Sequence, residues 1–139
     1  MKTQLFFDLT AQIPGPSIYF YELKDVEGAR EELREHNIAV LEIDGTALSS
    51  IDEMFKAFAI ALKKPKGWYG DEDYPTNSNV FLEYLDDVVE WVPAKGHVVL
   101  IHGSERLWRT DARVAGHLTE LWQFATISRR ATVKLVFEW

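Results

Sequence analysis

Residues 38–62 read IAVLEIDGTALSSIDEMFKAFAIAL, and this stretch decides the fold. Its opening, residues 38–43, is a largely apolar run of strand length that stops at Asp44-Gly45, a turn signal. Ser50 and Glu53 follow at the three-residue spacing of a capping box, which starts a helix. Ile51, Met54, Phe55, Phe58 and Leu62 then fall on one helical face, and Pro65 stops the helix. A strand followed closely by an amphipathic helix is the building unit of an α/β layer.

The same alternation continues in both directions. Downstream, the spacing predicts a second helix over residues 80–90 with Phe81, Leu85 and Val88 on its apolar face, ended by Pro93. Residues 97–101 read as a strand, apolar at four consecutive positions and so buried on both faces. Asp111 can cap a third helix whose apolar face carries Val114, Ala115, Leu118, Leu121, Trp122 and Ala125, and residues 132–139 form a last strand. Upstream, residues 26–36 read as an exposed helix of mixed charge, with Glu27/Arg30 and Glu31/Arg34 at favourable spacing. Residues 4–9 and 18–23 read as short strands on either side of the breaker Pro14-Gly15-Pro16. The expected fold is α/β, with a mainly parallel sheet of at least three strands over 38–43, 97–101 and 132–139. Phe55, Phe58, Leu62, Phe81, Leu85, Val99, Leu118 and Leu135 are its expected core.

At 139 residues the chain suits a single domain with a real core, residues 1–139. Hydrophobic residues make up 47% and charged residues 27%, the balance of a globular, soluble chain. No basic-then-apolar leader stands at Met1, and no apolar run approaches the ~18 residues of a membrane span. Cysteine is absent, which removes disulfides, a thiol nucleophile and thiolate metal sites and fits a reducing cytoplasm. The formal net charge of −7 argues against direct nucleic-acid binding and would steer the chain toward basic proteins.

The charge is unevenly placed. Between Asp71 and Ala94 there is no Lys or Arg, while Asp71, Glu72, Asp73, Glu83, Asp86, Asp87 and Glu90 all fall there. Four of these lie on the second helix at i, i+3, i+4 and i+7, one stripe opposed to the apolar face. Glu83–Asp87 and Asp86–Glu90 are like charges at i, i+4, each destabilising by roughly a few tenths of a kcal/mol. Asp86, Asp87 and Glu90 also sit toward the negative end of the helix dipole. The stripe reads either as a solvated surface or as a docking face for a basic site, where carboxylates a turn apart take the places of phosphates.

Other candidates are weaker. His97 and His102 are five apart and face opposite ways if their strand continues. No histidine pair, counting His36 and His117, has the spacing of a helical zinc site. Asp71-Glu72-Asp73 lacks the Asp/Asn-Gly pattern of a calcium loop. Gly103-Ser104 lacks the second glycine of a nucleophile elbow, and there is no glycine-rich phosphate loop. No catalytic group, metal or cofactor is expected. Trp68, Tyr69, Trp91 and Trp108 read as at least partly buried, though Trp68 and Tyr69, in the loop before the acidic helix, would be hot spots if exposed.

From about Ile38 to Trp139 the chain resembles the barstar family of ribonuclease inhibitors. The order of elements agrees: strand ending in Asp44-Gly45, helix, aromatic-aromatic-Gly, helix, Trp, strand, helix, strand. The family's loop-and-helix motif is matched by Pro65, Trp68-Tyr69-Gly70 and then Asn77-Ser78-Asn79-Val80-Phe81-Leu82-Glu83-Tyr84-Leu85. Trp91-Val92-Pro93-Ala94, one further residue and Gly96, before an apolar strand, are also similar to longer members. The resemblance implies a parallel three-stranded sheet core packed by helices over residues 38–139, with an N-terminal extension, 1–37, that could add edge strands. It implies no enzyme but an immunity protein or antitoxin, a monomer when free, that plugs the active site of a basic secreted ribonuclease. The family acid that enters the nuclease site matches Glu83, and the preceding loop residues match Tyr69, Gly70 and Asn77. The motif acid two positions after the Asn falls on Asn79, so that charge is lost. About five extra residues, within 71–76, lengthen the loop. The partner-facing set is then Trp68, Tyr69, Gly70, Asp71, Asp73, Asn77, Asn79, Glu83, Asp86, Asp87 and Glu90. The competing reading is an acidic interaction module for another basic protein, a DNase or a toxin that is not a nuclease.

Overall fold

Three helices begin at a polar side chain that accepts a backbone N–H left free by the first turn. Asp25 Oδ1 accepts from Gly28 N at 2.9 Å and opens α1 (Val26–Glu35). Ser50 Oγ accepts from Glu53 N at 3.0 Å and opens α2 (Ile51–Ala61). Asn77 Oδ1 accepts from Val80 N at 3.0 Å and opens α3 (Ser78–Trp91), which therefore starts two residues before the position expected from its apolar spacing. The computed structural model describes residues 9, 17–22, 25–129 and 131–139.

Four strands are described: β1 (Ile18–Tyr21), β2 (Ile38–Asp44), β3 (Gly96–His102) and β4 (Lys134–Glu138). They form one parallel sheet in the order β1-β4-β3-β2. The three expected core strands are adjacent, and β1, from the N-terminal extension, adds an edge to β4 with Ile18 opposite Leu135. The sheet thus has four strands among the described residues. The strand expected over 4–9 and the Pro14-Gly15-Pro16 breaker lie outside the described residues, except Leu9, which is helical and buried.

Alternation along the strands sends side chains to two cores. Leu41, Ile43, Val99, Ile101, Leu135 and Phe137 face α2, α3 and the C-terminal helices. Ile38, Val98, Leu100 and Val136 face Leu33 of α1, with Leu9. Burial on both faces explains the unbroken apolar run of β3. All eight core residues named from the sequence are buried. Phe58 meets Phe81 edge-on at 5.1 Å and Trp122 at 5.9 Å, so α2 and α3 share one aromatic contact layer with the last helix.

The segment after β3 differs from the sequence expectation. α4 (Ser104–Thr110) intervenes before α5 (Ala112–Ser128), and Asp111 sits between them with its side chain accepting no capping hydrogen bond. Gly103, at φ +65°, turns the chain from β3 into α4, a left-handed backbone that glycine adopts without strain. Gly45 is required for a different reason: a Cβ there would lie 2.5 Å from the backbone oxygen of His102, where the ends of β2 and β3 meet.

Candidate functional site

The loop between α2 and α3 carries the aromatics and the extra acids. Two tight turns shape its first half, with Trp68 N donating to Pro65 O and Gly70 N to Gly67 O, both at 3.3 Å. Gly67 and Gly70 have φ of +80° and +77°, so both positions suit glycine for backbone reasons. Tyr69 then stacks on Tyr84 of α3 at 4.9 Å, and Trp91 meets both rings edge-on. Trp68 meets Trp91 edge-on at 5.7 Å but is 44% exposed. Tyr84, Asp87 and Trp91 stand at i, i+3 and i+7, one row along α3 that receives the loop.

The insertion is anchored to α2 and the turn that follows it. Lys64 Nζ donates to Glu72 O at 2.7 Å, Lys56 Nζ lies 5.1 Å from the Tyr74 ring centre, and Pro75 is buried. Asp71, Glu72 and Asp73 are left exposed at its tip. Their charges reach inward as well. Burial, then the charges of Glu72 and Asp73, push the Tyr84 hydroxyl up to about 12. That hydroxyl and Trp91 Nε1 are buried without a hydrogen-bond partner among the described residues.

The structure divides the acidic stripe. Asp86 Oδ2 accepts from Arg129, just past α5, at 2.6 Å from Nη2 and 2.8 Å from Nε. Asp87 Oδ2 accepts a short hydrogen bond from the Tyr69 hydroxyl and a 3.3 Å one from Trp68 Nε1. Glu83 and Glu90 are exposed and have neither ion pair nor hydrogen bond among the described residues. One stripe of four acids is therefore two engaged aspartates and two unpartnered glutamates. Of the other residues singled out from the sequence, Asn77 has its side-chain oxygen committed to the helix cap. Asn79 is exposed in the first turn of α3, and Gly70 is exposed in the loop.

Sequence reasoning missed Tyr84 and Arg129. Tyr84 shares the i, i+3, i+4, i+7 spacing of the buried face of α3 with Phe81, Leu85, Val88 and Trp91, which was a usable signal. Arg129 lies 43 residues from Asp86, and no local pattern connects them.

A second polar group lies on the α1 side of the sheet, at the carboxyl ends of the strands. Glu42 Oε1 accepts from Arg30 Nη2 at 2.6 Å and sits 2.7 Å from His102 Nε2, while His102 Nδ1 is 3.7 Å from Glu138. Burial pushes the Glu42 carboxyl up, but the Arg30 and His102 hydrogen bonds and charges together outweigh it and hold it below the usual range. His97 faces the other side, buried, with Nε2 2.5 Å from Val92 O. Ser104 is buried and donates to Ile101 O at 2.7 Å. Among the described residues no group of three or more His, Asp or Glu is arranged to hold a metal ion, and no helix is long and apolar enough to cross a membrane.

The family model of barstar, the barnase inhibitor, matches residues 38–137. That span opens on β2 and closes in β4, so it contains the loop, α3 and three of the four strands, and leaves β1 and α1 in front of it. No curated protein and no solved structure gives a match. With well over half of its length inside the family model, and with the parallel sheet, the aromatic loop and the acid-bearing helix in family order, the chain belongs to the barstar (barnase inhibitor) family, a family of inhibitors rather than enzymes.

Proposed function

We propose that the protein is an immunity protein that inhibits a basic ribonuclease by laying α3 and the loop before it across the enzyme's phosphate-binding site. The observation that carries this reading is Glu83. It stands at the motif position of the family acid, is exposed on α3, and has no cation of its own chain against it. A nuclease holds phosphate with Arg and Lys, so a carboxylate with no internal partner is the group that can replace phosphate there. Asp71, Glu72 and Asp73 at the loop tip would flank the contact and raise the rate of encounter more than the final affinity. Trp68, half-exposed beside them, is of the residue type that anchors interfaces. The pairing of β1 with β4 and the packing of Leu33 from α1 on the sheet support reading residues 1–139 as one unit, with α1 on the face of the sheet away from α3. The natural setting under this reading is the cytoplasm of a cell that makes a secreted toxin.

The test is RNA cleavage by barnase, and by a second secreted basic ribonuclease, titrated with the purified chain. Loss of cleavage at one equivalent, with an association rate that falls as salt is raised, is the expected result. Full cleavage by both enzymes in the presence of excess chain would overturn the proposal.

A further inference from the structure

Asp87 is the acid on α3 whose oxygen receives two side-chain donors from the preceding loop, Trp68 Nε1 and the Tyr69 hydroxyl, across 19 and 18 residues of chain. Those donors are adjacent in sequence, so a single carboxylate oxygen fixes two neighbouring rings at once. Stacking on Tyr84 partly buries the Tyr69 ring, but a stacked ring can still slide or tilt, whereas a charge-assisted hydrogen bond at its tip sets its place along α3. The two loop turns on either side are single 3.3 Å backbone bonds around glycines with positive φ, a weak scaffold by itself. The two donors also reduce the like-charge repulsion between Asp87 and Glu83 one turn earlier. Burial first, then the Asp87 hydrogen bond and charge, push the Tyr69 hydroxyl well above the ordinary tyrosine value.

We infer that Asp87 is a positioning residue, which orders the Trp68–Tyr69 loop for the partner and does not itself meet it. This rests on the inhibitor reading for its consequence in binding, but the ordering is a property of the free chain and is tested there first. Hydrogen–deuterium exchange of the Trp68 and Gly70 amides, both internally bonded, reports opening of the loop. Absorbance titration, taken as a difference against Tyr69→Phe, reports the Tyr69 hydroxyl. Asp87→Ala is expected to speed exchange at both amides by about tenfold or more and to return Tyr69 toward about 10. Asp87→Asn, which keeps an acceptor oxygen but loses the charge, should restore slow exchange while Tyr69 still titrates lower. Glu83→Gln, which removes a nearby charge but no hydrogen bond to the loop, should leave exchange unchanged and lower the Tyr69 titration far less than Asp87→Ala. Exchange and titration in Asp87→Ala equal to the parent would overturn the inference.

The second arm uses barnase and the same second ribonuclease. Whichever the chain inhibits, Asp87→Ala should weaken binding in the parent but not in a Trp68→Phe/Tyr69→Phe background. A full loss persisting in that background would show a direct contact and overturn the inference. If neither enzyme binds, the inhibitor reading fails while the free-chain result still decides whether Asp87 orders the loop.

Discussion

Arg30 on α1 holds two carboxylates at 2.6 Å each, Glu27 on its own helix and Glu42 on β2, and His102 closes on Glu42 from β3. On α3 the donors come from outside the helix and reach the flanks alone: Arg129 takes Asp86, the loop takes Asp87, and Glu83 and Glu90 between them receive nothing. Both helices pack on one sheet and both are rich in acids. The difference is where the cations are. Beside α1 the partly buried carboxylate of Glu42 has Arg30 placed against it, as desolvation requires. Along the outer line of α3 the carboxylates are fully hydrated and need no partner for stability, so leaving them free costs the fold little. An acidic stripe is therefore a candidate contact only in those members whose charge the protein has not already answered.

The contrast presumes that α3 is held rigidly by the core it shares with α2, and the largest expected effect tests that. Phe58 is fully buried between Phe81 and Trp122. Phe58→Ala should cost about 3–5 kcal/mol of stability, read as a lowered urea midpoint with unchanged slope. A midpoint equal to the parent's would mean that α2 and α3 do not share a core.

Next in size is the difference between the two free glutamates. Under the proposed function Glu83→Gln leaves nuclease cations buried without a partner and should cost about 2–5 kcal/mol of binding, mainly in the off-rate. Glu90, two turns on, is rim-like, and Glu90→Gln should cost about 0–1 kcal/mol. Equal small losses, or the larger loss at Glu90, would show that the family contact is not used here.

How much of this was legible in the sequence follows from the range of each interaction. Core faces of α2 and α5, the Ser50 cap and the three core strands depend on neighbours within a few residues, and spacing reveals them. α4 was missed because residues 104–110 bury little beyond Leu107 and Ser104, too few to make a period. The start of α3 was placed late because Asn77, whose side chain caps the helix, was read for its motif role. The division of the acidic stripe was not legible at all. Its deciding partners come from 18 to 43 residues away, and the attachment of β1 to β4 spans nearly the whole chain.

On the α1 side, Glu42→Gln should destabilise by about 1 kcal/mol at neutral pH, since it weakens two hydrogen bonds without emptying space. The pH dependence has a definite sign. A carboxyl held below its unfolded value of 4.5 contributes stability that is present above that pH and is lost as pH falls through the lower folded value. The gap between parent and variant should therefore shrink as pH falls below about 4.5, as followed by thermal unfolding at fixed ionic strength. A gap that widened as pH fell below about 4.5 would mean that Glu42 is not the charged centre of the cluster.

The smallest effect has opposite signs in two measurements. Arg129 and Asp86 form a surface pair, each about a third exposed, so Arg129→Gln should cost only about 0–1 kcal/mol of stability. The same change removes the cation that answers one acid of α3 and makes that helix more negative. If α3 faces a basic enzyme, the encounter should then be faster than for the parent at low salt, and the gain should fade as the Debye length shrinks toward ~8 Å at physiological ionic strength. Asp86→Asn controls for this, because it breaks the same pair while making α3 less negative, and it should slow the encounter at equal stability. Stopped-flow association of both variants with the inhibited nuclease separates the two charges. If both changes slowed association alike, Arg129 would matter through the shape of the α3 flank, and the free charge of the helix would not be what the partner senses.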